Sequence, residues 1–235
     1  PDCAMCFWGE ALATGPNINV TSNGKAIMSA DERAGARAAI DKALGLLEGL
    51  TEKERDWILA LDQRYDGDPE SPREPLDRAW ADAVGAMAKQ YPDDTTVASI
   101  YAEALMNTMP WDYWGPSGEA KLDTQAVIAS LERVMVADPD HPLALHLYIH
   151  ALEASSNAQK AEAAADQLSD LVPASGHLVH MPSHIYFRVG RYQDSALANI
   201  RAAEVDEAYI AQCNAQGFYP ALYYPHNIHF LWASA

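Results

Sequence analysis

The chain has 235 residues, 49% of them hydrophobic, and a formal net charge of −17. That length buries a sizeable core, and the ordinary apolar content without a low-complexity tract argues against a disordered chain. The acidic balance argues against nucleic acid or an anionic membrane as partner, since both need basic surface; it suits a metal ion or another cationic ligand. No apolar run reaches the ~18 residues of a membrane span. There is no starting Met or signal peptide, so Pro1 and Ala235 both read as cuts inside a longer protein.

Nearly every segment reads as helix, and none shows period-2 alternation over strand length. Residues 3–13 form a short apolar helix, followed by a 14–28 loop with Asn17, Asn19, Ser22, Asn23 and Gly24 as turn formers. Cys3 and Cys6 form a C-x-x-C pair within it. Phe7 follows where His would stand, which excludes a c-type haem attachment motif. The pair reads as two small apolar helix residues, with a redox pair or metal ligands as alternatives, and three cysteines make no disulfide framework. Ser29 with Glu32 and Thr51 with Glu54 have capping-box spacing and open helices to about Leu47 and Tyr65. A polar linker spans 66–75, and helices follow over about 76–90 and 94–107. Residues 109–121 then break the pattern with two Pro, two Gly and three aromatics. Further helices are expected at about 123–137, 141–154, 158–171, 177–189 and 192–212. A second aromatic loop, G-F-Y-P-A-L-Y-Y-P at 217–225, precedes a final helix start.

Six of the eight histidines lie between Pro139 and His184, and Pro139 and Pro173 are 34 residues apart with the same layout after each. That period, two helices per unit, small residues at the crossing and a closing proline resemble the tetratricopeptide repeat (TPR). Pro92 to Pro139 is 47 residues, one repeat plus the 13 of the 109–121 insertion. The best-matching repeats are 92–138, 139–172 and 173–206, with 226–235 opening another, in one helical-repeat domain over 1–235. The segments D-C-A-M-C-F-W-G-E-A-L, G-H-L-V-H-M-P-S-H-I-Y and Y-P-H-N-I-H-F-L-W are similar to those of a bacterial group of TPR proteins. The resemblance implies an all-α, right-handed superhelical array of antiparallel helix pairs with aromatic loop insertions, and no particular activity. It places a soluble protein in a bacterial cytoplasm or periplasm without choosing between them.

The resemblance also implies that the first helix of each pair lines a concave groove. Counting from the prolines, the equivalent positions are Ser99 and Glu103, His146 and His150, and His180 and His184. Each pair is four residues apart, so both side chains leave one helix face. His177 and Glu153 fall on neighbouring rows, and aligning W-G-E-A-L with Y-A-E-A-L adds Glu10 to the column of Glu103 and His150. His226 and His229 repeat the three-residue spacing of His177 and His180, in a register the preceding linker leaves undetermined.

Four readings compete: hydrogen-bonded packing residues, which suits His141; metal ligands; a pocket for a polar ligand; and acid–base catalysis against Glu103 or Glu153. Imidazole and carboxylate suit Zn, Fe or Cu, so the metal set is His146, His150, Glu153, His177, His180, His184 and Glu103. No H-E-x-x-H is present, so a metalloprotease is not supported. Glu10, Trp111, Tyr148, Tyr186 and Arg188 are the expected contacts of a polar ligand. The aromatic loops act either as a lid over the groove or as plugs between repeats. Pro182 inside a helical pattern demands that the helix start there or kink. The leading expectation is a binding protein for a metal ion or small polar ligand. A peptide-binding scaffold and a metal-dependent or acid–base enzyme are the alternatives.

Overall fold

The computed structural model describes residues 2–19, 21–22, 25–68 and 70–235, with backbone alone for Thr21, Ser22, Lys25 and Ala26. Asn23 and Gly24, expected as turn formers, lie outside the described residues, as do Pro1, Val20 and Pro69. The described residues are mainly helical, apart from one two-stranded hairpin and the loops between helices. The 14–28 segment, expected as a loop, contains one minimal hairpin in which Thr21 faces Ala26 and Ser22 faces Lys25. No helix among the described residues is long and apolar enough to cross a membrane. The described residues form two compact units, one of residues 1–115 and 120–130, the other of 116–119 and 131–235.

The first unit holds α1 (Ala4–Thr14), α2 (Ala30–Leu44), α3 (Glu52–Asp62), α4 (Arg73–Gln90) and α5 (Thr95–Asn107), and α6 (Thr124–Ala137) follows them. Both expected capping boxes form: the Ser29 and Thr51 hydroxyls accept from the Glu32 and Glu54 backbone N–H groups, and both carboxylates reach back. Each cap satisfies donors that a helix N-terminus leaves open. The core gathers Ile40, Ile58, Leu61 and Trp80. The rings of Trp8, Trp57 and Trp80 follow one another at 5.4 and 6.3 Å. Beside them lies a buried ionic knot. Asp77 Oδ1 accepts from Arg64 Nε at 3.2 Å and from an Arg73 guanidinium nitrogen at 2.7 Å.

Cys3 and Cys6 are joined as a disulfide across the first turn of α1. This corrects the reading of the two as apolar helix residues. The side chains leave one face one turn apart, and their Cα atoms, 5.2 Å apart, lie within bonding reach. In the 109–121 insertion Tyr113 is buried while Trp111, at positive φ, is exposed.

The second unit holds α7 (Pro142–Glu153), a 3₁₀ turn at 158–161 running into α8 (Glu162–Leu168), α9 (Gly176–His180), α10 (Pro182–Val189), α11 (Tyr192–Cys213) and α12 (Tyr224–Ser234). His141 caps α7, its Nδ1 accepting from the Ala144 N–H, and Pro142 sits at the first helical position, where its missing N–H costs nothing. Leu147, Ile149, Leu152, Leu168, Met181 and Ile185 fill the interior. α10 packs on α7, α8 and α11, and α12 packs on α11 and α9. The helix expected over 177–189 is broken: α9 ends at His180 and Pro182 starts α10, while Met181 between them keeps αR geometry. The backbone therefore keeps its helical sense across the proline. Gly190, at φ +84, closes α10 in the left-handed conformation that a glycine C′ residue supplies. The aromatic segment 217–225, expected as a loop, winds into a π-helical turn at Tyr219–Tyr223 that leads directly into α12.

Candidate metal centre

The site grows out of helix periodicity. His146 and His150 are one turn apart on α7, and Glu153 follows on the same side. His177 and His180 share a face of α9, and helical continuity through Met181 keeps His184 beside His180, their Nε2 atoms 2.9 Å apart. α12 delivers His226, whose Nε2 stands 3.1 Å from that of His180. Two groups result, His146/His150/His177 and His180/His184/His226, and in each one nitrogen per residue lies within 4.8 Å of the others. Each group can hold a metal ion.

Hydrogen bonds at the outer nitrogens decide which way the imidazoles are protonated. Asn199 Nδ2 donates to the Ser195 carbonyl at 2.8 Å, which turns the amide oxygen toward His180. His180 Nδ1 then donates to Asn199 Oδ1 at 2.6 Å, and its Nε2 carries the lone pair. The two oxygens of Glu153 accept from His150 Nδ1 at 2.7 Å and from His184 Nδ1 at 2.5 Å. One carboxylate therefore orients an imidazole of each group, an arrangement common around metal-bound histidines.

The electrostatics favour neutral rings at His146, His150, His177, His180 and His226. Burial, joined by the neighbouring imidazoles, holds His146 and His180 well below the usual histidine range. The same causes lower His177 to about 3 and His226 to about 4. Burial lowers His150 as well, against the opposing pull of Glu153. Burial alone would raise Glu153, but His184 and His150 outweigh it and keep the carboxyl ionised, below its usual range. A metal ligand must be an unprotonated imidazole, and this environment supplies it.

Apolar rings wall the centre. Phe230 lies 4.5 Å from the His184 ring and 5.1 Å from that of His180. Tyr223 meets His177 edge-on at 4.8 Å. The Asp206 carboxylate of α11 accepts from Tyr219 Oη at 2.6 Å and Asn227 Nδ2 at 2.7 Å, which fixes the π-turn and α12 and hence His226. A Cβ at Gly176 would collide with that carboxylate, so the close approach of α9 to α11 depends on glycine.

His146, His150, Glu153, His177, His180 and His184 thus lie together in one cluster. Glu10, Glu103 and Trp111 belong to the first unit. Glu10 is exposed there, and burial pushes the Glu103 carboxyl up, against the pull of Arg64. Among the expected ligand contacts of the second unit, Tyr148 Oη donates to Glu132, Tyr186 Oη to Asp166, and Arg188 to the Ser155 carbonyl. These three side chains brace neighbouring helices. Sequence reasoning missed His226 as a member of the group, because the turns in the 217–225 segment could not be counted. Its i,i+3 partner His229 stacks on Trp232 instead, with the rings 5.8 Å apart. Asn199 gave no signal, being one polar residue on a long alanine-rich helix.

No protein-family model matches the sequence, and a search of curated proteins gives no match.

Proposed function

We propose that the chain is a metal-binding helical-repeat protein whose His180, His184 and His226 hold a first-row transition-metal ion. One observation carries the reading: His180 Nε2, bearing its lone pair, faces His184 Nε2 at 2.9 Å, while the outer nitrogens of both rings already donate elsewhere. Two lone pairs at that separation repel unless a cation stands between them. A proton on His184 would satisfy that pair alone; a metal ion satisfies all three converging nitrogens. Zn–N bonds of about 2.0–2.1 Å imply N···N separations of about 2.9 Å at octahedral and about 3.3 Å at tetrahedral angles. The separations of 2.9 and 3.1 Å fall in that span. An all-imidazole set suits Zn, Cu or Fe rather than Ca or Mg, which prefer oxygen.

The helix pairs are read as TPR-like on the support of the 34-residue spacing and the packing of α10 on both α7 and α8. Three protein ligands leave a coordination position open, the count found in catalytic zinc sites. That count favours a metal-dependent hydrolytic enzyme as the second reading.

The test is metal analysis of untagged protein, followed by chelator stripping and titration with Zn²⁺ or Co²⁺. Wild type is expected to carry or rebind metal stoichiometrically, and His180→Ala is expected to lose the tightest ion. Wild-type protein that neither retains nor binds either ion refutes the proposal.

A further inference from the structure

The His146/His150/His177 group lies directly beside the first. The His150 and His184 ring centroids are 5.4 Å apart, and those of His177 and His180 are 6.2 Å apart. We infer that it forms a second metal seat, so that the cluster is a binuclear centre whose two ions share Glu153 as their outer hydrogen-bond partner. The inference rests on the metal-binding reading above.

Glu153 accepts one N–H from His150 and one from His184, so a single side chain directs the Nε2 of one imidazole in each group toward its own seat. His146 Nε2 stands 3.2 Å from His177 Nε2, again within the span of cis ligands on one ion. His177 Nδ1 is buried without a hydrogen-bond partner, and the ring's polar partner among the described residues is His146 alone. An ion supplies the buried ring with a second fixed partner.

The two seats are built unequally. In the His180 seat two rings are held by outer acceptors, Asn199 and Glu153; in the His146 seat, among the described residues, only His150 is so held. Losing one such partner costs about 10–100-fold in metal affinity. The second ion is therefore expected to bind about 10–100-fold more weakly than the first. Loading proceeds in order, the His180 seat before the His146 seat.

Native mass spectrometry of the chelator-stripped chain during Zn²⁺ addition counts the ions, and Co²⁺ absorption follows the affinities. Expected are two equivalents in separable steps, with the weaker lost in His146→Ala and the tighter lost in His180→Ala. His177→Gln, which keeps a hydrogen-bonding side chain in place, should repeat the first loss if His146→Ala disturbs packing. One equivalent in wild type, lost in His180→Ala and untouched by His146→Ala, overturns the second seat and leaves the first standing. Two equivalents that survive both His146→Ala and His177→Gln place the second ion elsewhere and also overturn the inference. No equivalents at all overturn the metal-binding reading itself.

Discussion

Replacing Glu153 by Gln changes one atom and should damage metal binding out of proportion to that change. The carboxylate receives an N–H from each of two imidazoles, at 2.7 and 2.5 Å. A glutamine oxygen can receive one of them, and its NH₂ group then opposes the other N–H, donor against donor. The opposed imidazole must move its proton to the inner nitrogen, which removes a metal-binding lone pair. The imidazole still held loses a charge-assisted hydrogen bond. Changes of this kind cost about 10–100-fold in affinity, or roughly 1.4–2.8 kcal/mol. Competition for Zn²⁺ between the protein and a chromophoric chelator at neutral pH reads this directly. Glu162→Gln, at a half-exposed α8 carboxylate paired with Arg191, serves as the control and is expected to leave affinity unchanged. Glu153→Gln binding within about threefold of wild type would refute the assigned tautomers, since the reasoning puts at least a tenfold loss on an outer carboxylate.

Three further outcomes follow from the structure. The metal-free protein should lose stability as pH falls from about 6.5 toward the lowered values of His226, about 4, and His177, about 3. In that window the unfolded chain takes up protons that the folded state refuses, so stability declines by at most ~1.4 kcal/mol per pH unit for each buried histidine, and by less for the partly exposed His226. Chemical denaturation at pH 7.5 and 5.0, above the usual carboxylate range, checks this; equal stabilities would contradict it. Gly176→Ala drives a methyl into the Asp206 carboxylate, and overpacking of this kind costs about 1–3 kcal/mol. A lowered melting temperature together with weaker metal binding is expected, because the same carboxylate anchors α12. Asp77→Ala leaves Arg64 and Arg73 buried without their shared acceptor, and breaking a buried pair costs about 3–5 kcal/mol. A loss under 1 kcal/mol in urea unfolding would show that the knot is solvated.

Much of the helical framework is legible in the sequence because its signals are local. Ser29/Glu32 and Thr51/Glu54 announce capping boxes within four residues, and both form. The histidine columns were legible for the same reason, since i,i+4 spacing fixes a face. What was hidden depends on distance in the chain. His226 reaches the group only through a π-helical turn whose five residues read as a loop in aromatic-rich sequence. Asn199 and the second oxygen of Glu153 act by hydrogen bonds between helices that no spacing rule encodes. The Cys3–Cys6 bridge was readable as proximity but not as a bond, because one helical turn brings two thiols close whatever their redox state.

The third histidine of the first group arrives on the last helix, so an ion held there would also act as a cross-link. His184 and His226 are 42 residues apart, a span enclosing all of α11 and the π-turn. A clasp across a loop of that length removes unfolded-chain entropy worth about 4 kcal/mol by the estimate used for disulfides. The gain concentrates on α12, the last helix, which is otherwise tied to α11 by Asn227 on Asp206, Tyr224 on Glu207 and Ser234 on Ser195. Stripping the ion should therefore be felt first as fraying at residues 224–234, with Phe230 and His226 gaining solvent before α7 or α10 loosens. If the group holds an ion, order in the final helix would then track its occupancy, readable by hydrogen exchange at those amides.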